Sequence, residues 1–243
     1  MTTTATDVHD GAEHHGHFTP EQKDRKERMA VWLLIGGDAV FLALELFTWF
    51  YLRALNVSDG WRYSLATSSN QYPHCPGDSC SPINFTGEIP KIGSSWTLIV
   101  TVLALAAGAA VWWAEAIARK RVGRSMLVGA LLLTTVLALA AVVAQFVQFQ
   151  HLPVVEVINN ATGSPIKMHL GTIMGTYAST ALFYMGANIA HFLIVLLVAL
   201  GLTLRASRGK YDASFYEIRL GRLFFVWVGL STLVLSLVSI LFA

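Results

Sequence analysis

Long apolar blocks alternate with polar segments along the chain, and this pattern predicts helices that span a membrane. Five blocks are long enough to cross about 30 Å of hydrocarbon at about 1.5 Å of rise per residue. They run at about residues 30–52, 96–118, 125–148, 173–204 and 222–242. Helices are expected because a segment inside lipid must satisfy its own backbone hydrogen bonds. The sequence therefore predicts an all-α fold, a polytopic membrane bundle of five transmembrane helices.

The remaining segments divide the chain into a polar tail and one membrane domain. Residues 1–28 lack the apolar stretch of a signal peptide, so we expect a flexible cytoplasmic tail. Residues 29–243 form the expected five-helix domain, with a long connection at 53–95. Thr19, Pro20 and Glu21 are typical of a helix start, and they leave open a short interfacial helix within the tail.

Basic residues fall almost entirely on one side of the predicted bundle. Thirteen of the seventeen lysines and arginines lie in the tail, or in and beside the connections that follow the second and fourth helices. Cytoplasmic loops are enriched in these residues, so we expect the N-terminus inside and the C-terminus outside. The net charge of +2 arises from this asymmetry and indicates no nucleic-acid partner.

The only two cysteines lie in the long connection, in the segment YPHCPGDSC. Cys75 and Cys80 are separated by four residues, and Pro76 and Gly77 allow a tight turn between them. The segment is expected to face the oxidising side of the membrane, where a disulfide is chemically plausible. Free thiols are one alternative, and a metal site that includes His74 is another, although these three side chains are an incomplete zinc set.

Two carboxylates lie inside the first apolar block. Asp38 and Glu45 are seven residues apart, so they project from one face of a helix. A charged carboxylate exposed to lipid costs several kcal/mol, so each must be protonated, paired, or turned toward helices or water. Two interpretations stay open for both residues: a carboxyl that locks helix packing, or a proton-linked or headgroup-binding site.

The fourth block carries a polar stripe on one helical face. Its members recur at spacings of three and four: Tyr177, Thr180, Tyr184, Asn188 and His191. Such a stripe is expected to face a partner helix or a cavity. A haem or copper centre needs further ligands, and no other histidine lies at the depth of His191. We therefore expect no redox centre, no catalytic residue and no metal site in this chain.

Other polar residues are expected to connect helices. Gln145 and Gln148 are amides near the end of the third block that can bridge to a neighbouring helix. Glu115, near the end of the second block, is expected to form an ion pair with Arg119, four residues further on.

The stripe and its surroundings resemble the subunit III family of haem–copper terminal oxidases. The segment YASTALFYMGANIAHFLIV is similar to the family pattern of Y-x-S followed by T-G-F-H-G-x-H-V. Tyr177, Ser179, Gly186 and His191 fall on this pattern, and Asn188 stands where the first histidine is usual.

Further segments resemble the same family. The first block is similar to W-L-F-L-x-S-E-x-M-F-F: Trp32 and Phe41 match, and Asp38 stands at the characteristic glutamate. AQFVQF is similar to Q-x-x-E-Y, with Gln145 matching and Gln148 in place of the glutamate. The last block lacks the histidine and aspartate of the family's W-H-F-V-D-x-V-W. The resemblance covers four of the five helices and indicates a divergent member of the shorter, five-helix bacterial type.

This resemblance implies a non-catalytic subunit of a respiratory complex in a prokaryotic cytoplasmic membrane. The complex would reduce O₂ to water with proton translocation, using cytochrome c or quinol as donor. Haem and copper would lie in partner subunits. Subunit I would be the main partner of this chain, with subunit II, small subunits and a respiratory supercomplex as further partners. Bound phospholipids are implied for this chain. By the resemblance, Asp38 would bear on proton supply, and Asn188 and His191 would shape a lipid cleft or a helix contact.

Three alternatives stay open at this point. The chain is also compatible with a subunit III-like accessory protein of nitric oxide reductase. A small proton-coupled transporter would use Asp38 and Glu45, although no inverted repeat supports it. A membrane metalloenzyme would use His74 and the two cysteines.

Overall fold

A computed structural model describes residues 20–55, 83–85, 92–159, 164–171, 176–211 and 214–242. Five long helices lie in these ranges: α1 (Pro20–Leu55), α2 (Ser94–Lys120), α3 (Arg124–Gln150), α4 (Thr176–Ser207) and α5 (Tyr216–Leu241). All five are long and apolar enough to span a membrane. The predicted all-α bundle of five transmembrane helices is confirmed, and the chain is a multi-pass membrane protein. Cys75 and Cys80 lie outside the described residues, so the predicted disulfide stays a prediction.

Helix α1 begins ten residues earlier than the apolar pattern indicated. It is continuous from Pro20, so residues 20–28, predicted to belong to the flexible tail, are helical. Pro20 suits the first helical position, and Glu21 in the first turn complements the positive end of the helix dipole. No glycine or proline interrupts the segment between Glu21 and Ile35. The polar start therefore joins the spanning helix and does not form a separate interfacial one.

A small antiparallel sheet connects two loops at one end of the bundle, which we call the sheet end. Its strands are β1 (Ile83–Phe85), β2 (Val154–Asn159) and β3 (Ser164–His169), in the order β1-β2-β3. Asn84 pairs with Ile158, and Val157 with Ile166. The sheet was not among the predicted elements, and it joins the α1–α2 connection to the α3–α4 connection.

Helices α2 to α5 form a four-helix bundle in which α2 and α4 each pack between α3 and α5. Small residues let the backbones of α2 and α5 approach closely, as is common between helices in membranes. A Cβ added at Gly108 would lie 3.6 Å from the carbonyl oxygen of Phe225, and one at Gly229 would lie 3.5 Å from that of Ala104. Helix α1 lies against α4 and α5 and is far less buried than the other four helices.

The other end of the bundle, which we call the basic end, is held by a buried carboxylate. Glu115 is 1% exposed, and Arg119 lies 2.6 Å from its Oε1 atom, so the predicted ion pair is confirmed. The structure adds a second partner, since the Nη1 atom of Arg222 lies 2.8 Å from Oε2. The Arg222 guanidinium also lies 5.2 Å from the ring centre of Trp112. Because Glu115 and Arg222 lie on α2 and α5, their charges hold these helices together.

The α4–α5 connection at the basic end carries a second polar contact. The Tyr211 hydroxyl donates a hydrogen bond to Glu217 at 2.9 Å, and Arg205 pairs with the same carboxylate. Burial raises the pKa of the Tyr211 hydroxyl above its usual range, and the hydrogen bond and negative charge of Glu217 raise it further. The phenol therefore stays protonated and keeps donating.

We predict that Gly108→Leu lowers the unfolding free energy by about 1–3 kcal/mol, since a larger side chain must push the α5 backbone away. Unfolding of the purified protein in mixed micelles, titrated with a denaturing detergent, measures this. Gly129→Leu on α3 is the matched control, because no atom lies within 4 Å of a Cβ there. Equal unfolding free energies for the two variants would contradict the close approach of α2 and α5.

Candidate functional site

Three helices meet at the Asp38 carboxyl. The Nε2 atom of His191, on α4, lies 2.7 Å from Oδ1. The indole N–H of Trp227, on α5, donates to Oδ2. Both carboxyl oxygens are therefore engaged, and each ties α1 to a different helix. We call Asp38, His191 and Trp227 the carboxyl clamp.

The clamp lies within the apolar length of the helices and is largely shielded. The side chains of Asp38 and His191 are only 15% and 19% exposed. Asp38 is ten residues from Arg28 and fifteen from Arg53, so it lies about 15 Å and 22 Å along the helix from these charged flanks. Water cannot reach this depth readily, and the imidazole and indole replace it as hydrogen-bonding partners.

The second carboxyl, Glu45, lines a cavity of about 200 Å³ between α1, α4 and α5. Its Oε1 atom is buried, and no described group lies within hydrogen-bonding distance of it. The cavity walls are mostly apolar and aromatic, with Phe41 and Trp49 from α1 and Phe183 and Tyr184 from α4. The two carboxyls on one face of α1 thus have different surroundings.

The polar stripe of α4 faces other helices, as predicted. The Tyr184 hydroxyl lies 2.9 Å from the Ser236 hydroxyl of α5, and the Thr232 hydroxyl donates to the side-chain Oδ1 atom of Asn188 at 3.3 Å. Tyr177 is buried, and its hydroxyl accepts a hydrogen bond from the backbone N–H of Ile92 at 3.3 Å. Asn188 is therefore a helix contact between α4 and α5.

The two glutamines lie on a different side of the bundle. Gln145 donates to Gln148 at 2.7 Å, and Gln148 donates to the Thr97 hydroxyl of α2 at 3.0 Å. Both side chains are buried, at 1% and 5% exposed. They connect α3 to α2 and take no part in the clamp or the Glu45 cavity.

Trp227 is the clamp residue that the sequence analysis missed. It lies in the apolar run of α5, where an indole is equally typical of a packed core. The only signal was an N–H donor at a depth that also holds a carboxylate, because a buried indole N–H usually finds a partner. Among the described residues, no group of three or more His, Cys, Asp or Glu side chains is arranged to hold a metal ion.

A scan against protein-family models finds no match to this chain, and a search of curated proteins finds none either.

The clamp is chemically able to hold and exchange a proton. A carboxyl and an imidazole at hydrogen-bonding distance can share one proton between them, and the net charge of the pair falls by one when that proton leaves. The indole can only donate, so it orients the carboxyl without accepting the proton. In hydrocarbon the same contacts also hold α1 in place, so both the proton-linked and the packing interpretations of Asp38 are compatible with this geometry.

We predict a coupling free energy of about 1–2 kcal/mol between Asp38 and His191 in a double-mutant cycle of alanine variants. The reason is that replacing either side chain leaves the other without its hydrogen-bond partner, in a medium where no water can take its place. Unfolding free energies of the wild-type protein, both single variants and the double variant give this coupling. The control cycle pairs Asp38→Ala with Gln145→Ala, whose partner is Gln148, and should give less than about 0.5 kcal/mol. Similar values from both cycles would refute the contact.

Proposed function

We propose that the chain is a non-catalytic subunit III of a haem–copper terminal oxidase in a prokaryotic cytoplasmic membrane. In this role it stabilises the catalytic subunit, holds phospholipids and supports proton uptake while the complex reduces O₂ to water. Haem and copper belong to the partner subunits I and II, and the electron donor is cytochrome c or a quinol. The basic end of the bundle faces the cytoplasm, in keeping with the positive-inside rule.

One observation carries this proposal. Asp38 and His191 stand at characteristic positions of two separate family patterns, 153 positions apart in the chain, and their side chains are in contact. Each pattern is defined by sequence alone, without reference to a contact between Asp38 and His191. Buried polar residues tend to pair in any membrane bundle, so the support comes from the fact that the two residues that meet are those at the two pattern positions.

The remaining motif residues support the proposal less directly. Tyr177, Gln145 and Gln148 are buried helix contacts at the sheet end, which accounts for polar residues in those patterns on packing grounds alone. Asp38 and His191 are the matched residues that can together hold a proton. A link to proton supply would therefore act at the carboxyl clamp.

Purification from the native membrane in a mild detergent tests the assignment. We expect the chain to co-purify with a haem–copper subunit I, visible in reduced-minus-oxidised spectra and by mass spectrometry of the subunits. Nitric oxide reduction without O₂ reduction would favour the accessory subunit of nitric oxide reductase. Absence of any haem protein from an intact, lipid-containing preparation would overturn the proposal.

A pair of variants at Asp38 separates proton supply from packing. Asp38→Asn keeps the shape and an acceptor for Trp227 but cannot exchange a proton, whereas Asp38→Leu also removes the hydrogen bonds. If the Asp38 carboxyl supports proton supply, we expect both variants to assemble with normal haem content and to inactivate several-fold earlier during turnover. If the asparagine variant retains wild-type turnover lifetime and only the leucine variant is impaired, the carboxyl acts in packing alone.

A further inference from the structure

The Glu45 cavity combines a mostly apolar wall with a buried carboxyl oxygen, Oε1 of Glu45. Tyr184 and Thr180 also line it, but their hydroxyls bond to Ser236 and to the carbonyl oxygen of Tyr177. The buried Oε1 atom of Glu45 has no such partner among the described residues. A buried acceptor without a donor has lost its hydrogen bonds to water without replacement, so a ligand that supplies a donor gains affinity.

The depth of Glu45 restricts the chemistry of the donor. Glu45 is eight residues from Arg53, about 12 Å along the helix, and seventeen from Arg28, about 26 Å. The Arg53 guanidinium lies over the Phe242 ring near the end of α5, where the apolar length of both helices ends. A charged headgroup would leave the interface at high cost to reach Glu45. An uncharged hydroxyl can enter at much lower cost.

The entrance of the cavity faces the lipid side of this chain. Phe41, Leu44 and Phe183 line the cavity and are also exposed, at 38%, 59% and 57%. The rings of Phe41 and Phe183 lie 5.8 Å apart at the entrance, on α1 and α4. A molecule dissolved in the bilayer can therefore enter sideways, with its apolar body against these rings and its polar group inward.

We infer that the Glu45 cavity binds an apolar membrane molecule that carries an uncharged hydroxyl group, with the hydroxyl donating to the Glu45 carboxyl. Two sources share this chemistry: an isoprenoid hydroquinone, and an acylglycerol without a headgroup. The aromatic walls of the cavity suit the planar ring of a hydroquinone. The entrance from the lipid side suits the acyl chains of an acylglycerol. The inference does not depend on the proposed oxidase role, because it rests on the cavity alone.

Calorimetric titration of the purified full-length protein, with whatever subunits accompany it, tests the inference in lipid nanodiscs under anaerobic conditions. The probes are a decyl hydroquinone and dioctanoylglycerol, each compared with its O-methylated analogue, which lacks the donor. We expect one of the two hydroxyl probes to bind about tenfold more tightly than its ether, equivalent to about 1.4 kcal/mol. The probe that shows this difference identifies the source.

Variants assign that difference to Glu45. In Glu45→Leu we expect the hydroxyl probe to bind about tenfold more weakly and no more tightly than its ether. Thr48→Val is the matched control, because it removes another hydroxyl of the cavity wall at nearly constant volume and should leave binding unchanged. Leu44→Trp should fill the cavity and weaken the hydroxyl probe and its ether together.

Two results would overturn the inference. One is that neither hydroxyl probe binds the wild-type protein better than its ether, a comparison that needs no variant to fold. The other is that a hydroxyl probe retains its advantage in Glu45→Leu. The titration measures binding and requires no oxidase activity, so its result is independent of the co-purification experiment.

Discussion

A carboxyl inside hydrocarbon needs partners from the protein, and the position of α1 depends on this requirement. Only 6% of the most apolar window of α1 is buried, compared with 28–50% for the other four helices. Lipid chains are as apolar as leucine, so exclusion of water does not hold such a helix against its neighbours. Asp38 replaces that missing attraction with hydrogen bonds to α4 and α5. The carboxyl clamp is therefore both a candidate proton site and the main polar attachment of the helix that carries it.

The two carboxyls of α1 are suited to different roles because their hydrogen-bonding surroundings differ. Asp38 and Glu45 share a helical face, but both oxygens of Asp38 have partners, whereas one oxygen of Glu45 faces a cavity. A closed pair is a stable attachment, because one of its hydrogen bonds must break before either group can bond to another molecule. An open carboxyl can accept a hydrogen bond from a visitor without breaking an existing one. A molecule bound at Glu45 would lie between α1 and α4, the same helices that the clamp connects.

Much of the fold could be predicted from the sequence because the controlling property is local. The length of an apolar block decides whether it can span the membrane, and all five predicted spans are present. A helix start at Pro20 was left open, but its continuity with the first span was missed because residues 20–28 are polar, and hydropathy does not report helix formation in water. The three-stranded sheet was missed because its strands are three to six residues long and pair across different loops.

The site was predictable only in part, for a different reason. Helical spacing identified Asp38, Glu45 and the α4 stripe as polar groups that must turn away from lipid. Spacing within one helix cannot show which residue of another helix lies opposite, so the contact between Asp38 and His191 required the structure. Trp227 carried even less signal, since its indole fits an apolar run whether or not its N–H is used. The second partner of Glu115, Arg222, was missed in the same way.

The wall of the Glu45 cavity is held by contacts from both the bundle and α1. Ser236 of α5 lies within hydrogen-bonding distance of Thr101 of α2, at 2.7 Å, and of Tyr184 of α4. These contacts fix the bundle side of the cavity through three helices. The opposite side is α1, which is attached seven residues away at Asp38 and within the cavity wall by Trp49, whose buried ring packs against Tyr177 of α4. Because Asp38 and Glu45 lie on one helix, any displacement of α1 would move both the clamp and one wall of the cavity.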